Sequence, residues 1–271
     1  VATAWGVSSL PAQPGRSTDE MLAAAATGRL RALVVGGVEV TDLSDPAAAV
    51  AALDAVPFLV SLEIRASDVT ERANVVFPVA AVPEKAGSFL DWEGRVRSFD
   101  NVLHTTGVLS DLRVLAGIAE QLGSGLGFRG IDGARTEMAE IGPWDGARVP
   151  EPSVEAPAAT GPPALGSGEA VLATWRLLVD DGRLQDGDAY LKATARAAVA
   201  LVSQGTATAL GLTAGGSLTL STAHRSVAFP AAVADLPDGV VWAPLNSAGI
   251  SLHRDLGARA GDVVRIEAGV S

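Results

Sequence analysis

Short apolar runs separated by small and acidic residues set the rhythm of the first half of this chain. Ser17 stands three residues before Glu20, the spacing of a capping box, and an Ala-rich helix is predicted from there to Gly28. Leu30 to Val35 is a continuous apolar run ending in Gly36 and Gly37, the pattern of a strand buried on both faces. Asp45-Pro46 opens a second predicted helix, Ala47 to Ala55, with Pro46 suited to the first helical position. Pro57 then turns the chain into another apolar strand, Phe58 to Ile64. Thr70 to Ala73 reads as a short turn of helix and Asn74 to Val79 as a third strand. This alternation predicts a parallel α/β sheet. Right-handed crossovers would bring the loops after Val35 and Ile64 to one sheet edge, where open α/β folds bind ligands. Residues 88–99 read as two short strands around Glu93-Gly94. Asp111 to Leu122 is an amphipathic helix with Leu112, Leu115, Ile118, Ala119 and Leu122 on one face, ended by Gly123.

The rhythm changes after residue 142. Pro143, Pro150, Pro152, Pro157, Pro162 and Pro163 lie among Gly, Ala and Ser, and residues 143–168 are expected to be an extended linker. They would separate an α/β domain at 1–142 from a second domain at 169–271. In the latter, Ala170 to Val179 is strand-like and leads to an Asp-Asp-Gly turn. Ala197 to Val202 is another apolar run, and Gln204 to Leu210 a short helix closed by Gly211. Gly215-Gly216 leads into the alternating Ser217 to Thr222. Val227 to Ala234, Val240 to Pro244 and Val263 to Glu267 add three strands. Many short strands with Gly/Pro turns predict a closed β-barrel.

Composition narrows the chemistry. The 271 residues are 48% hydrophobic and 19% charged, enough for two domains with real cores. No segment approaches the roughly 20 uninterrupted apolar residues of a membrane helix, so no direct membrane insertion is expected. Val1 to Leu10 has neither the basic start nor the apolar centre of a signal peptide. A net charge of −11 repels phosphate backbones and argues against nucleic acid as a partner. The absence of cysteine excludes disulfides, thiolate catalysis and Cys-bound clusters within this sequence. His104, His224 and His253 are too widely separated to give metal-ligand spacing. The chain opens on Val1, inside what reads as an ongoing domain, and is expected to be a piece of a longer protein.

Several residues admit both a functional and a structural reading. Gly36-Gly37 after a strand could admit a phosphate or simply make a tight turn, and the full G-x-G-x-x-G spacing is absent. Glu63, closing a strand, could accept from a ribose or base, or be a solvated carboxylate. Glu84, Lys85, Gly87, Glu93, Gly94 and Arg95 could be cofactor-edge contacts. The structural alternative is favoured: Gly87 and Gly94 permit turns, and Arg95 pairs with Glu84 or Glu93. Trp92 is expected to be a packed aromatic at this junction. Asn246-Ser247 fits polar ligand contacts or a plain loop. No Ser/His/Asp or Cys/His set is present, and Asp180-Asp181 falls in a turn, so no catalytic residue is expected.

The ordered set Ala73-Asn-Val-Val-Phe-Pro78, Glu84-Lys-Ala-Gly87 and Glu93-Gly-Arg95 resembles the pterin-dinucleotide half of the molybdopterin oxidoreductase superfamily. Residues 207–266 are similar to that superfamily's dinucleotide-binding barrel, of double-psi type. Further pieces are Ala4-Trp5-Gly6, Leu33 to Gly37, Ser61-Leu-Glu63, Trp92 to Arg95, Pro143-Trp-Asp-Gly146 and Pro244 to Ser247. Together they resemble the branch of the superfamily that serves as the iron–sulfur subunit of bacterial respiratory complex I, the NADH:quinone oxidoreductase. Glu63 and Ile64 stand where the superfamily has Asp and an aromatic residue, and Gly215-Gly216 replaces its Gly-Asp. The resemblance implies a non-catalytic scaffold without metal or molybdopterin, in which Gly36, Gly37, Glu63, Asn246 and Ser247 mark a vestigial cleft. It implies iron–sulfur clusters in an upstream part, peripheral-arm subunits as partners, and a place on the cytoplasmic side of the bacterial plasma membrane. The alternatives are a part of an active molybdenum or tungsten enzyme, such as a formate dehydrogenase, and a free-standing nucleotide-binding module.

Overall fold

The computed structural model describes residues 1–143, 161 and 163–269. The chain divides into two compact units, residues 1–44 with 48–151 and residues 45–47 with 152–271. Most of the expected linker lies outside the described residues.

In the first unit, helix α1 (Thr18–Ala26) begins as the capping box requires. Ser17 Oγ accepts from Glu20 N at 3.4 Å, and Glu20 Oε2 accepts from Ser17 N at 2.7 Å. Its other end corrects the strand expected from Leu30. Gly28 turns left-handed at φ +71°, and the Arg29 and Leu30 amides both donate to Ala24 O, at 2.8 and 3.2 Å. Those residues therefore finish the helix, and strand β1 is only Leu33–Gly36. Helix α2 (Pro46–Ala55) and strands β2 (Leu59–Glu63) and β3 (Val75–Pro78) follow. The three strands form a parallel sheet in the order β1-β2-β3, with Gly36 opposite Leu62 and Glu63 opposite Pro78. β1 is thus an edge strand with Val34 exposed; the strand buried on both faces is β2.

Alternation along β2 explains the layering. Leu59 packs with Ala25, Ala49, Ala52, Leu53 and Val56, whereas Val60 and Leu62 pack with Val79 and Val114. Thr70 to Ala73 forms turns, not helix. Ser67 and Thr70 bond reciprocally, Ser67 N to Thr70 Oγ1 at 2.7 Å and Thr70 N to Ser67 Oγ at 3.3 Å. Strands β4 (Gly87–Leu90) and β5 (Val96–Phe99) make an antiparallel hairpin. Helix α3 (Asp111–Gln121) docks through Val114, which is buried, and the half-buried Ile118. The expected stripe is only partly right, because Leu115 and Leu122 are exposed. Helix α4 (Ile131–Ile141) was not expected from the sequence. None of its residues is buried, although Ile131, Ala134, Met138 and Ile141 recur at helical spacing. Polar bonds tie it down instead: Trp5 Nε1 donates to Glu137 Oε1 at 2.8 Å and Arg135 Nη2 to Gly87 O at 2.9 Å.

The second unit holds β6 (Glu169–Trp175), α5 (Ala189–Lys192), β7 (Ala200–Val202), α6 (Gln204–Leu210), β8 (Ser217–Ser221) and β9 (Ser226–Val233). It continues with β10 (Val240–Pro244), β11 (Asn246–Ser247), β12 (Ile250–Ser251) and β13 (Val263–Ala268). Six strands close into a barrel in the order β10-β6-β13-β8-β9-β7. β6–β10 and β7–β9 are parallel and the remaining pairs antiparallel, the interleaving of a double-psi barrel. Alternate residues face inward: Leu172, Leu218, Leu220, Phe229, Val241, Val264 and Ile266 are buried together. Leu252 and Leu256, from a π-helical turn, complete that core. Each such large side chain contributes about 1.5–3 kcal/mol by leaving water. The strand expected to run to Val179 stops at Trp175, and the one expected from Ala197 starts at Ala200. Between them, Leu178 and Leu184 are 98% and 99% exposed, so nothing holds that stretch in a ladder.

A polar tie fixes α6 to the barrel. Ser203 Oγ accepts from Thr206 N at 2.9 Å and donates to Asp238 Oδ1, while Gly239 N donates to Thr206 Oγ1 at 3.1 Å. A Cβ on Gly205 would lie 2.5 Å from Asp238 Oδ1. Alanine at 205 raises helix propensity by about 1 kcal/mol but displaces this carboxylate. We expect Gly205→Ala to destabilise the unit by about 1 kcal/mol in denaturant unfolding, and the penalty to vanish in the Asp238→Ala background.

Candidate functional site

Parallel register brings Gly36, Gly37 and Glu63 together at the C-terminal edge of the sheet. Gly36 ends β1, and a Cβ there would meet Leu62 at an ordinary 3.6 Å. Gly37 has φ +61°, a conformation that favours glycine, and its amide donates to Leu62 O at 3.2 Å. That is a tight turn. Glu63 Oε1 accepts from the next amide, Ile64 N, at 2.8 Å, so this carboxylate caps its own strand end.

The residues from Glu84 to Arg95 build the β4–β5 hairpin and its anchorage. Glu84 accepts from Ala81 N at 3.0 Å and from Thr105 Oγ1 at 2.5 Å. Those bonds, Thr105 first, hold its carboxyl below the usual carboxylate range. Lys85 Nζ reaches Asp111 Oδ2 at 2.5 Å, joining the hairpin's approach to the start of α3. Gly87 makes room for an aromatic ring, since a Cβ would fall 2.7 Å from Phe99 Cζ. Phe99 in turn stacks on Phe89 with ring centroids 4.9 Å apart. Gly94 has φ +80° at the hairpin turn. Arg95 pairs with Glu93 at 2.9 Å and not with Glu84, which is engaged elsewhere. Trp92 corrects the expectation of a packed ring: it is 94% exposed at the tip of the hairpin. Asp91, not singled out from the sequence, organises the turn by accepting from Glu93 N at 3.0 Å and Arg95 N at 2.8 Å.

Asn246 and Ser247 belong to the other unit, where β11 and β12 pair across the two-residue turn Ala248-Gly249. Both turn residues have positive φ, +56° and +79°, as a type I′ hairpin demands. Alanine is a costly choice there. Ser247 Oγ is buried and has no hydrogen-bond partner among the described residues. The amides of this segment are occupied by carboxylates. Asp181 Oδ2 accepts from Gly249 N at 2.7 Å, and the Asp181 amide donates to Asn246 O at 3.0 Å. Lys192 Nζ lies 3.0 Å from Asp181 Oδ1. Asp255 Oδ2 accepts from Ser251 N at 2.8 Å. Arg254 grips both Asp255 oxygens, at 2.7 and 2.9 Å, and donates to Gly249 O at 3.1 Å. Arg225 Nη1 donates to Arg254 O. The Gly249 amide holds the Asp181 carboxyl below its usual range, with Lys192 helping; Arg254 does the same for Asp255, helped by Ser251 N. The Asp181 carboxylate raises the Lys192 ammonium in return.

The sequence placed Asp181 in a turn but offered no sign of its partners, because the bond to Gly249 spans 68 residues. A dinucleotide bound at this turn would need free amides or cations for its pyrophosphate. The Gly249 and Ser251 amides, Lys192 and Arg254 are each already engaged by a carboxylate. These residues do not fit such a group. Among the described residues, no three His, Asp or Glu side chains are grouped as metal ligands would be, and no helix is long and apolar enough to cross a membrane.

Comparison with known proteins points in one consistent direction. Residues 2–119 match the molybdopterin oxidoreductase family. The NADH-quinone oxidoreductase G-subunit from Mycobacterium tuberculosis is 49% identical over 272 residues, covering 99% of this chain and 33% of that protein. The Streptomyces coelicolor G-subunit is 47% identical over 271 residues, covering 98% of this chain and 32% of its own length. The chain thus spans about a third of the length of these relatives. Among solved structures, acetylene hydratase from Pelobacter acetylenicus shares the fold, with a TM-score of 0.50 at 15% identity over 83% of this chain and 39% of that one.

Two outcomes follow from the turn. Ala248→Gly removes about 1–2 kcal/mol of left-handed strain and adds about 0.4–1 kcal/mol of unfolded-state freedom. A net gain of about 0.5–1 kcal/mol in unfolding free energy is expected. The depressed carboxyl groups of Asp181 and Asp255 contribute stability above the ordinary aspartate value of about 3.9, and that contribution is lost as pH falls through their lower folded values. The Gly249 and Ser251 amide resonances should hold steady from about pH 7 to 5 and move only below about pH 4.

Proposed function

We propose that this chain, whose residues 2–119 match the molybdopterin oxidoreductase family, is a scaffold portion of the G-subunit of an NADH-quinone oxidoreductase, with no catalytic residue of its own. The observation that carries this reading is 47–49% identity to two such G-subunits along almost the whole chain. The engaged amides and cations around Ala248-Gly249 support it further, since they leave a pyrophosphate no ready receptor. An active molybdenum or tungsten enzyme is not favoured, because these relatives carry the NADH-quinone oxidoreductase name.

On this reading, electrons pass from NADH toward quinone through iron–sulfur clusters housed elsewhere in the full-length protein. The sheet and barrel hold that region in place and present surfaces to other subunits of the peripheral arm. The assembly then sits at the cytoplasmic face of the plasma membrane, with no membrane insertion by this part. The test is metal and pterin analysis of the full-length protein purified within its native complex. Iron is expected, without molybdenum, tungsten or pterin; any of the last three in stoichiometric amount would overturn the reading.

A further inference from the structure

We propose that Asp181 and Asp255 are built-in replacements for a bound anion: their carboxylates occupy the amides of the 246–256 segment and shut phosphate-bearing ligands out of it. The inference deepens the scaffold reading and rests on it for its biological sense, but its geometry stands on the barrel alone.

The segment contains the ingredients of an anion receptor. Two backbone N–H groups lie close together here, that of Gly249 in a turn whose two central residues both have positive φ and that of Ser251 on β12, where the π-helical turn begins. Two cations, Lys192 and Arg254, stand beside them. Neighbouring backbone amides flanked by basic side chains bind phosphate oxygens in many proteins. Here each ingredient is paired internally. Asp181 bridges Gly249 N, at 2.7 Å, and Lys192 Nζ, at 3.0 Å. Asp255 bridges Ser251 N, at 2.8 Å, and the Arg254 guanidinium, at 2.7 and 2.9 Å. The two clamps match: one carboxylate, one backbone amide and one cation in each. They are also linked, because Arg254 Nη2 donates to Gly249 O at 3.1 Å, next to the amide that Asp181 holds.

Asp181 acts from far away in sequence, early in the excursion that leaves β6, and it grips the hairpin twice. Its own amide donates to Asn246 O at 3.0 Å while its side chain takes Gly249 N. A ligand carrying a pyrophosphate would have to displace both carboxylates and then lie against their negative charge. Neither cation could repay it, since each is neutralised by the aspartate it would have to leave. A loop that merely lacked contacts would be indifferent to anions. This one is closed to them.

The experiment uses the whole 271-residue chain, inorganic pyrophosphate as the probe, and the Gly249 and Ser251 amide resonances as the readout. The unaltered chain should show no titration through the millimolar range. Asp181→Ala/Asp255→Ala should bind pyrophosphate at least about tenfold more tightly, with both amides shifting and the effect suppressed by salt. Asp181→Asn/Asp255→Asn keeps one acceptor oxygen on each side chain and removes the charge, so it serves if the alanine pair unfolds; it should show a smaller gain in the same direction. Titration of the unaltered chain with shifts at these amides would overturn the proposal. So would a folded double variant whose amides ignore pyrophosphate. Neither result touches the scaffold reading, which stands or falls on metal and pterin content.

Discussion

A backbone N–H that leaves a ladder or a helix end must find an acceptor, and in this chain the acceptor is repeatedly a carboxylate. Glu20 serves the Ser17 amide, Glu84 that of Ala81, and Asp91 those of Glu93 and Arg95. In the second unit Glu169 serves Gly166, Asp188 serves Leu191, and Asp262 serves Arg259, beside the two pairs at the β11–β12 turn. Such charge-assisted bonds are stronger than neutral ones and need only one short side chain each. They also give the acidic balance of the chain a structural meaning. Part of the excess of 31 acidic over 20 basic residues is turn architecture, not a surface field tuned for a ligand.

The same habit explains the candidate site. At the sheet edge, Gly37 and Glu63 meet as parallel topology requires, yet the glutamate is satisfied by the amide that follows it. At the barrel, the hairpin amides that could greet a phosphate are satisfied by Asp181 and Asp255. The motif residues between Glu84 and Arg95 turn out to be joinery: a 3-10 turn capped by Glu84, a helix start gripped by Lys85, and an aromatic stack admitted by Gly87. Turns and close approaches constrain residue type as tightly as ligands do, so residues such as Gly87 and Gly94 have a structural reason to be where they are.

Much of the fold was legible in the sequence because its signals are local. Ser17 with Glu20, Pro46 at a helix start, and Gly211 after a short helix each name their element by spacing alone. Misreadings came where tertiary context decided. Leu30 looked like strand but was captured by the end of α1, and β1 looked central but lies at an edge. Helix α4 carries helical spacing at Ile131, Ala134, Met138 and Ile141, yet it buries none of its residues and is held by polar bonds to distant parts of the chain. Trp92 is apolar and aromatic, which suggested packing, but a hairpin tip points away from any core. The carboxylate–amide pairs were least legible of all. Nothing in an Asp-Asp-Gly turn at 180–182 announces a partner 68 residues onward.

The barrel's topology has a consequence for how this unit is made. Its first strand, β6, is flanked by β10 and by the last strand, β13, so the cylinder has no closed form until residues 263–268 arrive. During synthesis, Leu172 and its inward neighbours must wait, facing water, while almost a hundred residues are added behind them. Pairings of such long sequence separation form slowly, because loop closure must precede the contacts that reward it. The barrel therefore closes only once β13 has been made, and even a short loss at β13 would leave β6 and β8 as raw, adhesive edges.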